Sequence, residues 1–304
     1  MNDYLVRTLA REAGILGIVG VTTEVSREAA RRHGATPIAA AALAVATTGG
    51  ILLGALLKVQ QRVALKVETN GPLEKLVVEA DAYGRVRSYV AQPDVPWPLP
   101  IGPDDVAQAI GSEGVLTVVK DLRLKHLYES VMALQSGHLD KELTHYLNQS
   151  EQVPSVVEIG VHLDGLGRLA KAGGLLFQRL PGAAPNALDA LAERLEDLPP
   201  LETLLADGHT PEEVLAMAYG PVEYTVLQHQ PLEFRCTCSR ERSRQALLTL
   251  QPDELLDLLR QGEAVVDCHF CHERYVFGAE ELAAIFDERV ATAAAEGSGA
   301  GAGE

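Results

Sequence analysis

The chain has 304 residues, enough for roughly two or three domains. It carries 26 basic and 42 acidic side chains, a formal charge of −16, which excludes a general nucleic-acid binder needing a basic surface for phosphates. Apolar residues make up 47 %, enough for a real core and too many for wholesale disorder; all four cysteines lie between 236 and 271, so everything before them must fold without disulfides.

The start, MNDYLVRTLAREAG, is charged at Asp3, Arg7, Arg11 and Glu12 and has no uninterrupted apolar run, so no secretory signal is expected. Ser26 is placed to cap a short helix ending near Gly34. Thr36-Pro37 then opens a long helix, with proline at the first helical position, where its missing N–H does no harm. From Gly34 to Leu57 no side chain is charged, which is long enough to cross a bilayer. Yet the stretch is built of Ala, Gly and Thr, with Pro37, Gly49, Gly50 and Gly54, and no second span accompanies it. A buried, tightly packed helix is therefore expected, in a cytoplasmic protein with no membrane partner.

A strand follows, with Val63, Leu65 and Val67 alternating against Arg62, Lys66 and Glu68. Asn70-Gly71 marks a turn, LEKLVVEA a second strand and GRVRSYVA a third. The stretch DVPWPLPIGPD holds four prolines and reads as an extended loop. VLTVVKD is another strand, a helix begins near Asp140, and VVEIGVHLD with GGLLFQRL forms a closing strand pair. Strands and helices are interspersed without a regular βαβ rhythm, so the expected class is α+β: an N-terminal mixed sheet-and-helix domain over residues 1–180.

Residues 181–231 change character. They hold seven of the sixteen prolines, nine acids and one base, Arg194, a charge of −8. Leu188, Leu191, Leu195 and Leu198 still recur at helical spacing, as do Leu201, Leu204 and Leu205. Thr210-Pro211-Glu212-Glu213 is a helix start with acids in the first turn. Proline breaks keep such helices short, and short helices are marginal unless docked, so a conditionally folded helical linker is expected. Residues 232–290 form a small cysteine-bearing unit, and residues 291–304, ending GSGAGAGE, read as a disordered tail.

Cys236-Thr237-Cys238 and Cys268-His269-Phe270-Cys271 are separated by 29 intervening residues. Two close pairs converging on one point supply the four thiolates that tetrahedral Zn²⁺ prefers. Structural disulfides do not suit a chain without an export signal, a thioredoxin-like CxxC lacks its βαβ surroundings, and an iron–sulfur cluster is a further reading of four cysteines. His269 and His272 are alternative ligands, but four thiolates already complete the tetrahedron. That set leaves no open position, so the metal is no Lewis acid. Arg235, Arg240, Arg242 and Arg244 surround the first pair in sequence and are expected to favour thiolate. A structural zinc would hold the unit folded, and thiolates are also what oxidants attack, so the same residues can serve as lock or as sensor.

FRCTCSRER at 234–242 and DCHFCHERYVF at 267–277, separated by a two-helix insert, resemble the redox-regulated heat shock protein 33 family, the 33-kDa chaperonins. SEQVPS at 150–155, AGGLLFQRLP at 172–181 and ATTGGILLGALLK extend the resemblance over nearly the whole chain, short of the Gly/Ala tail. It implies an ATP-independent holdase, not an enzyme. In the reduced, inactive form Cys236, Cys238, Cys268 and Cys271 hold one zinc per chain. It further implies that oxidation pairs Cys236 with Cys238 and Cys268 with Cys271, releasing zinc, unfolding the C-terminal unit and destabilising the linker. The active protein, a homodimer, then holds unfolding clients. Some relatives carry a further cysteine where this chain has Ser243, which removes one side disulfide and leaves the ligand set intact.

The other readings are a structural-zinc module for nucleic acid or protein interaction without redox switching, and an enzyme. For the enzyme, TGG at 48–50 and AGG at 172–174 lack the residues of a phosphate loop, and His33, His126, His138 and His145 accompany no nucleophile arrangement.

Overall fold

The computed structural model of the chain describes residues 2–299, with side chains through Ala291. Two compact units follow one another, Met1–Arg235 and Cys236–Glu304.

The first unit is α+β and contains two sheets. One has five strands in the order β10-β1-β2-β9-β8, from β1 (Tyr4–Ala10), β2 (Ile15–Val21), β8 (Ser155–Leu163), β9 (Leu169–Arg179) and β10 (Thr225–Pro231). The other has six in the order β11-β5-β4-β3-β6-β7, from β3 (Arg62–Thr69), β4 (Lys75–Asp81), β5 (Arg85–Val90), β6 (Gly114–Asp121), β7 (Tyr128–Ala133) and β11 (Glu233–Phe234). All pairings are antiparallel except β11 on β5.

The uncharged stretch is α2 (Pro37–Ala55), packed between the two sheets. Among the described residues it is the helix long and apolar enough to span a bilayer, and it is almost wholly buried in protein. Its small residues have a packing reason. A Cβ on Gly50 would stand 2.4 Å from Val78 Cγ1 on β4, so the helix and sheet approach as closely as backbones allow. Gly49 makes room instead for Leu143, and Gly174 on β9 for Thr48 and Leu52 of α2.

Helix α1 (Thr23–His33) corrects one expectation. Ser26 does not cap it; the N-cap is Thr22, and Ser26 is buried within the first turns. The reason lies outside the local sequence: the Asp3 carboxylate, brought alongside by β1, accepts the Val25 N–H at 2.8 Å. At the other end Gly34 closes the helix in the left-handed conformation, φ 58°, as its lack of a Cβ permits.

α3 (Pro103–Ile110) follows the proline-rich loop, and α4 (Leu139–Gln149) lies where the sequence placed a helix. Residues 181–231 form α5 (Asp189–Asp197), α6 (Leu201–Ala206), α7 (Pro211–Tyr219) and the edge strand β10. Thr210 caps α7 with a reciprocal Glu213 bond.

These short helices cover the face of the five-stranded sheet opposite α2. Leu188, Leu191, Leu195, Leu201, Leu204, Leu205, Val214, Leu215 and Tyr219 join Val6, Val19, Leu175 and Phe177 in a second core. Alternation along β9 sends Leu176 to the α2 side and Leu175 and Phe177 to the linker side. At Gly160 of β8 the fit is flush: a Cβ there would lie 2.5 Å from the Glu202 nitrogen of α6. The Arg194 guanidinium on α5 donates to the carbonyls of Ala218 and Tyr219, at 3.0 and 2.8 Å, closing the C-terminus of α7.

The second unit comprises α8 (Arg240–Leu248), α9 (Pro252–Gln261), the hairpin β12 (Glu263–Asp267) with β13 (Arg274–Gly278), and α10 (Ala279–Gly299). Of the tail expected to be disordered from residue 291, residues 291–299 continue α10, and residues 300–304 lie outside the described residues. The alanines at 291 and 293–295 are the strongest helix formers, and they extend α10 past the last apolar anchor.

Candidate metal centre

Cys268 and Cys271 sit on the turn joining β12 to β13. The turn is held by Cys268 N–H to the Glu273 carbonyl (2.9 Å), His272 N–H to the Cys268 carbonyl (2.8 Å) and a two-bond Arg274–Asp267 ion pair at its base. His272 takes the left-handed conformation, φ 57°, which reverses the chain behind Cys271. The Cys236–Cys238 pair precedes α8, whose cap is Ser239. Arg242 reaches back from α8 to the Thr237 carbonyl and hydroxyl, at 2.9 and 2.7 Å, and fixes the residue between the two cysteines.

The turn and the pair bring all four sulfurs within 4.8 Å of one another. Cys236 Sγ lies 3.6 Å from Cys268 Sγ, and Cys238 Sγ lies 3.3 Å from Cys271 Sγ. Four sulfurs at about 2.3 Å from one ion would be about 3.8 Å apart along each tetrahedral edge, so the spacing fits zinc. No disulfide joins these cysteines, of which three are half-buried and Cys271 buried. The donor set is all sulfur, which suits a soft, thiophilic cation.

Burial pushes the Cys238 and Cys271 thiols up from their ordinary range. A bound cation reverses that preference, because a coordinating thiol is deprotonated outright. Three of the four arginines expected to favour thiolate turn elsewhere. Arg240 pairs with Glu281 at 2.7 Å and lies over the Phe277 ring, Arg244 pairs with Glu288, and Arg235 stands 3.8 Å from Glu233. Their charge is directed at carboxylates of neighbouring elements. Nothing in the sequence singled out Tyr275, whose hydroxyl donates to Cys238 Sγ at 3.2 Å. Its position seven residues after Cys268 becomes meaningful only once the hairpin folds it back.

The apolar core under this centre is small: Leu247, Leu255, Ala264, Phe277, Leu282 and Ile285 are its buried members.

The histidines considered for catalysis are dispersed. His33 is buried against the Ser88 carbonyl at 3.0 Å, His138 lies 3.3 Å from Asp104, and His145 bonds Gln135.

The family model described as Hsp33 protein matches residues 3–278. The chain belongs to the Hsp33 family. A 33 kDa chaperonin of Geobacter sulfurreducens is 44 % identical over 292 residues, covering 96 % of this chain and 97 % of that protein. One from Bacillus licheniformis is 40 % identical over 288 residues, covering 94 % and 99 %. The crystal structure of the 33 kDa chaperonin (heat shock protein 33 homologue) of Thermotoga maritima aligns with a TM-score of 0.86 at 33 % identity, covering 95 % of this chain and 99 % of that one. The α+β architecture is thus that of Hsp33, and family membership supports a chaperone function.

Proposed function

We propose that the chain is a redox-regulated, ATP-independent holdase that captures unfolding proteins in the cytoplasm under oxidative stress. The observation that carries the reading is the convergence of Cys236, Cys238, Cys268 and Cys271 in a unit with a small apolar core. In the reduced form these four thiolates hold one Zn²⁺. The ion supplies cross-linking, which becomes folding free energy, on the order of 10–16 kcal/mol for structural zinc sites.

Oxidation of Cys236 with Cys238, and of Cys268 with Cys271, removes the thiolates. Each disulfide forms as a thiolate pair gives up two electrons to one hydrogen peroxide, which takes two protons from solvent and becomes two waters. The unit then lacks both its cross-link and a core large enough to replace it.

Functionally the chain divides into a core (residues 1–180), a linker (181–231), a switch unit (232–290) and a tail (291–304). The linker is held by its leucines on the sheet and is covalently continuous with the switch unit through β10 and β11. Once unfolding of the switch unit reaches it, an apolar stripe rimmed by acids becomes available to clients and remains soluble. The active state is a homodimer; neither nucleic acid nor membrane is a partner.

The test is aggregation of an unfolding test protein followed by light scattering, without ATP. Protein treated with peroxide and mild warming suppresses scattering, and the reduced, zinc-loaded protein does not. A fully oxidised, zinc-free protein that suppresses nothing leaves only a structural-zinc interaction module.

A further inference from the structure

Along β8, Val156 packs into the core beneath the linker, and the face of Gly160 meets the α6 backbone. Glu158 lies between them in the same alternation, so its carboxyl points to the linker side of the sheet. It is half-buried, and among the described residues it has neither a hydrogen-bond nor an ion-pair partner. The charged groups that act on it are both acids, Asp140 of α4 and Glu202 of α6. β9 sets Leu175 opposite it, and α2, on the far face of the sheet, carries no charge.

We propose that Glu158 makes docking of α6 proton-dependent, tight while its carboxyl is neutral and looser once it ionises. The inference rests on the linker-release reading above and adds pH as a second control on the same release.

Burial first, then repulsion from Asp140 and Glu202, raises this carboxyl from 4.5 to about 7. A group whose folded value is raised takes up a proton on docking, so docking weakens as pH rises between the two values. With about 7 when docked and 4.5 when free, the docking constant falls about tenfold between pH 6 and pH 8. Above pH 8 no further loss comes from this group. The physical cause is plain: lifting α6 lets water reach Glu158 and carries Glu202 away from it. An alkaline shift therefore lowers the threshold for release, and mild acid locks the linker down.

The test uses the full chain, reduced and zinc-loaded, so it is independent of whether oxidation activates the protein. Hydrogen exchange is followed at the α6 amides of Leu204 and Asp207, which bond to Pro200 and Thr203. Wild type is compared with Glu158→Gln at the same pH, which cancels the intrinsic exchange rate. The expected result is lower protection in wild type than in the variant at both pH values, with the wild-type-to-variant ratio falling about tenfold from pH 6 to pH 8. A ratio that is the same at both pH values overturns the proposal. Glu202→Gln, in the half-buried first turn of α6, moves the wild-type transition to lower pH by removing one repelling charge. An unmoved transition likewise overturns it.

Discussion

Gly160→Ala loosens the linker without touching a cysteine. The added Cβ would stand 2.5 Å from the Glu202 nitrogen and 2.9 Å from the Leu201 carbonyl carbon. Ordinary contacts begin near 3.4 Å, and both atoms belong to backbone, so no side chain can swing aside. α6 must move outward by about 1 Å, or β8 must bend, and overpacking of this kind costs about 1–3 kcal/mol. Leu201, Leu204 and Leu205 then lose part of their contact with the sheet core. The docking constant is expected to fall about 5- to 150-fold.

The assay is again hydrogen exchange at α6 in the reduced, zinc-loaded protein, paired with light scattering of an unfolding client. Exchange at Leu204 and Asp207 rises by that factor, and partial holdase activity appears without peroxide. Zinc content and the far-UV spectrum stay unchanged. Unaltered α6 exchange would refute the packing argument. Faster exchange with no gain in client capture would refute the role assigned to the linker.

Other outcomes follow from the same structure. Replacing Cys238 or Cys271 with Ser leaves three thiolates, so residues 236–291 lose their zinc and their helical signal while the first unit keeps its own. Tyr275→Phe removes the hydroxyl donor to Cys238 and weakens zinc affinity about 10- to 100-fold, read by chelator competition. Thr210→Ala breaks the reciprocal cap of α7 and costs about 1 kcal/mol, seen as a lower thermal midpoint for the first unit. The Glu212 carboxyl behaves oppositely to that of Glu158. Burial works to raise it, but hydrogen bonds from Tyr4 and His229 outweigh burial and hold it below its usual 4.5. Its stabilising bonds are therefore fully present above pH 4.5 and are lost as pH falls through the lowered value, so α7 exchange rises in acid. Glu212→Gln should flatten that acid limb.

Much of this was legible in the residues. β3, β4 and β5 alternate cleanly because their sheet has one face on the core and one toward solvent, and α7 announced itself by Thr210, Pro211 and Glu213. β1 and β2 escaped because their sheet is covered on both faces. ILGIVGV is buried almost throughout, and a continuous apolar run has no period to read. β10 escaped for the opposite reason: it is a largely exposed edge strand whose pairing with β1 spans more than two hundred residues.

At the metal centre, the ligand set was readable because each cysteine pair is local. The contribution of Tyr275 and the outward pairing of Arg240 and Arg244 depend on how β13 and α10 fold back on α8, which local spacing does not encode. Ser26 makes the same point, since its capping role was taken by a carboxylate from the preceding strand.

Zinc and free thiols, counted together before and after peroxide while exchange is followed across residues 236–291, test the central claim most directly. The account predicts one zinc lost per chain as four thiols become two disulfides, with protection vanishing from the second unit and then from α5–α7. Retained protection in that unit, with its sulfurs paired and the metal gone, would contradict it.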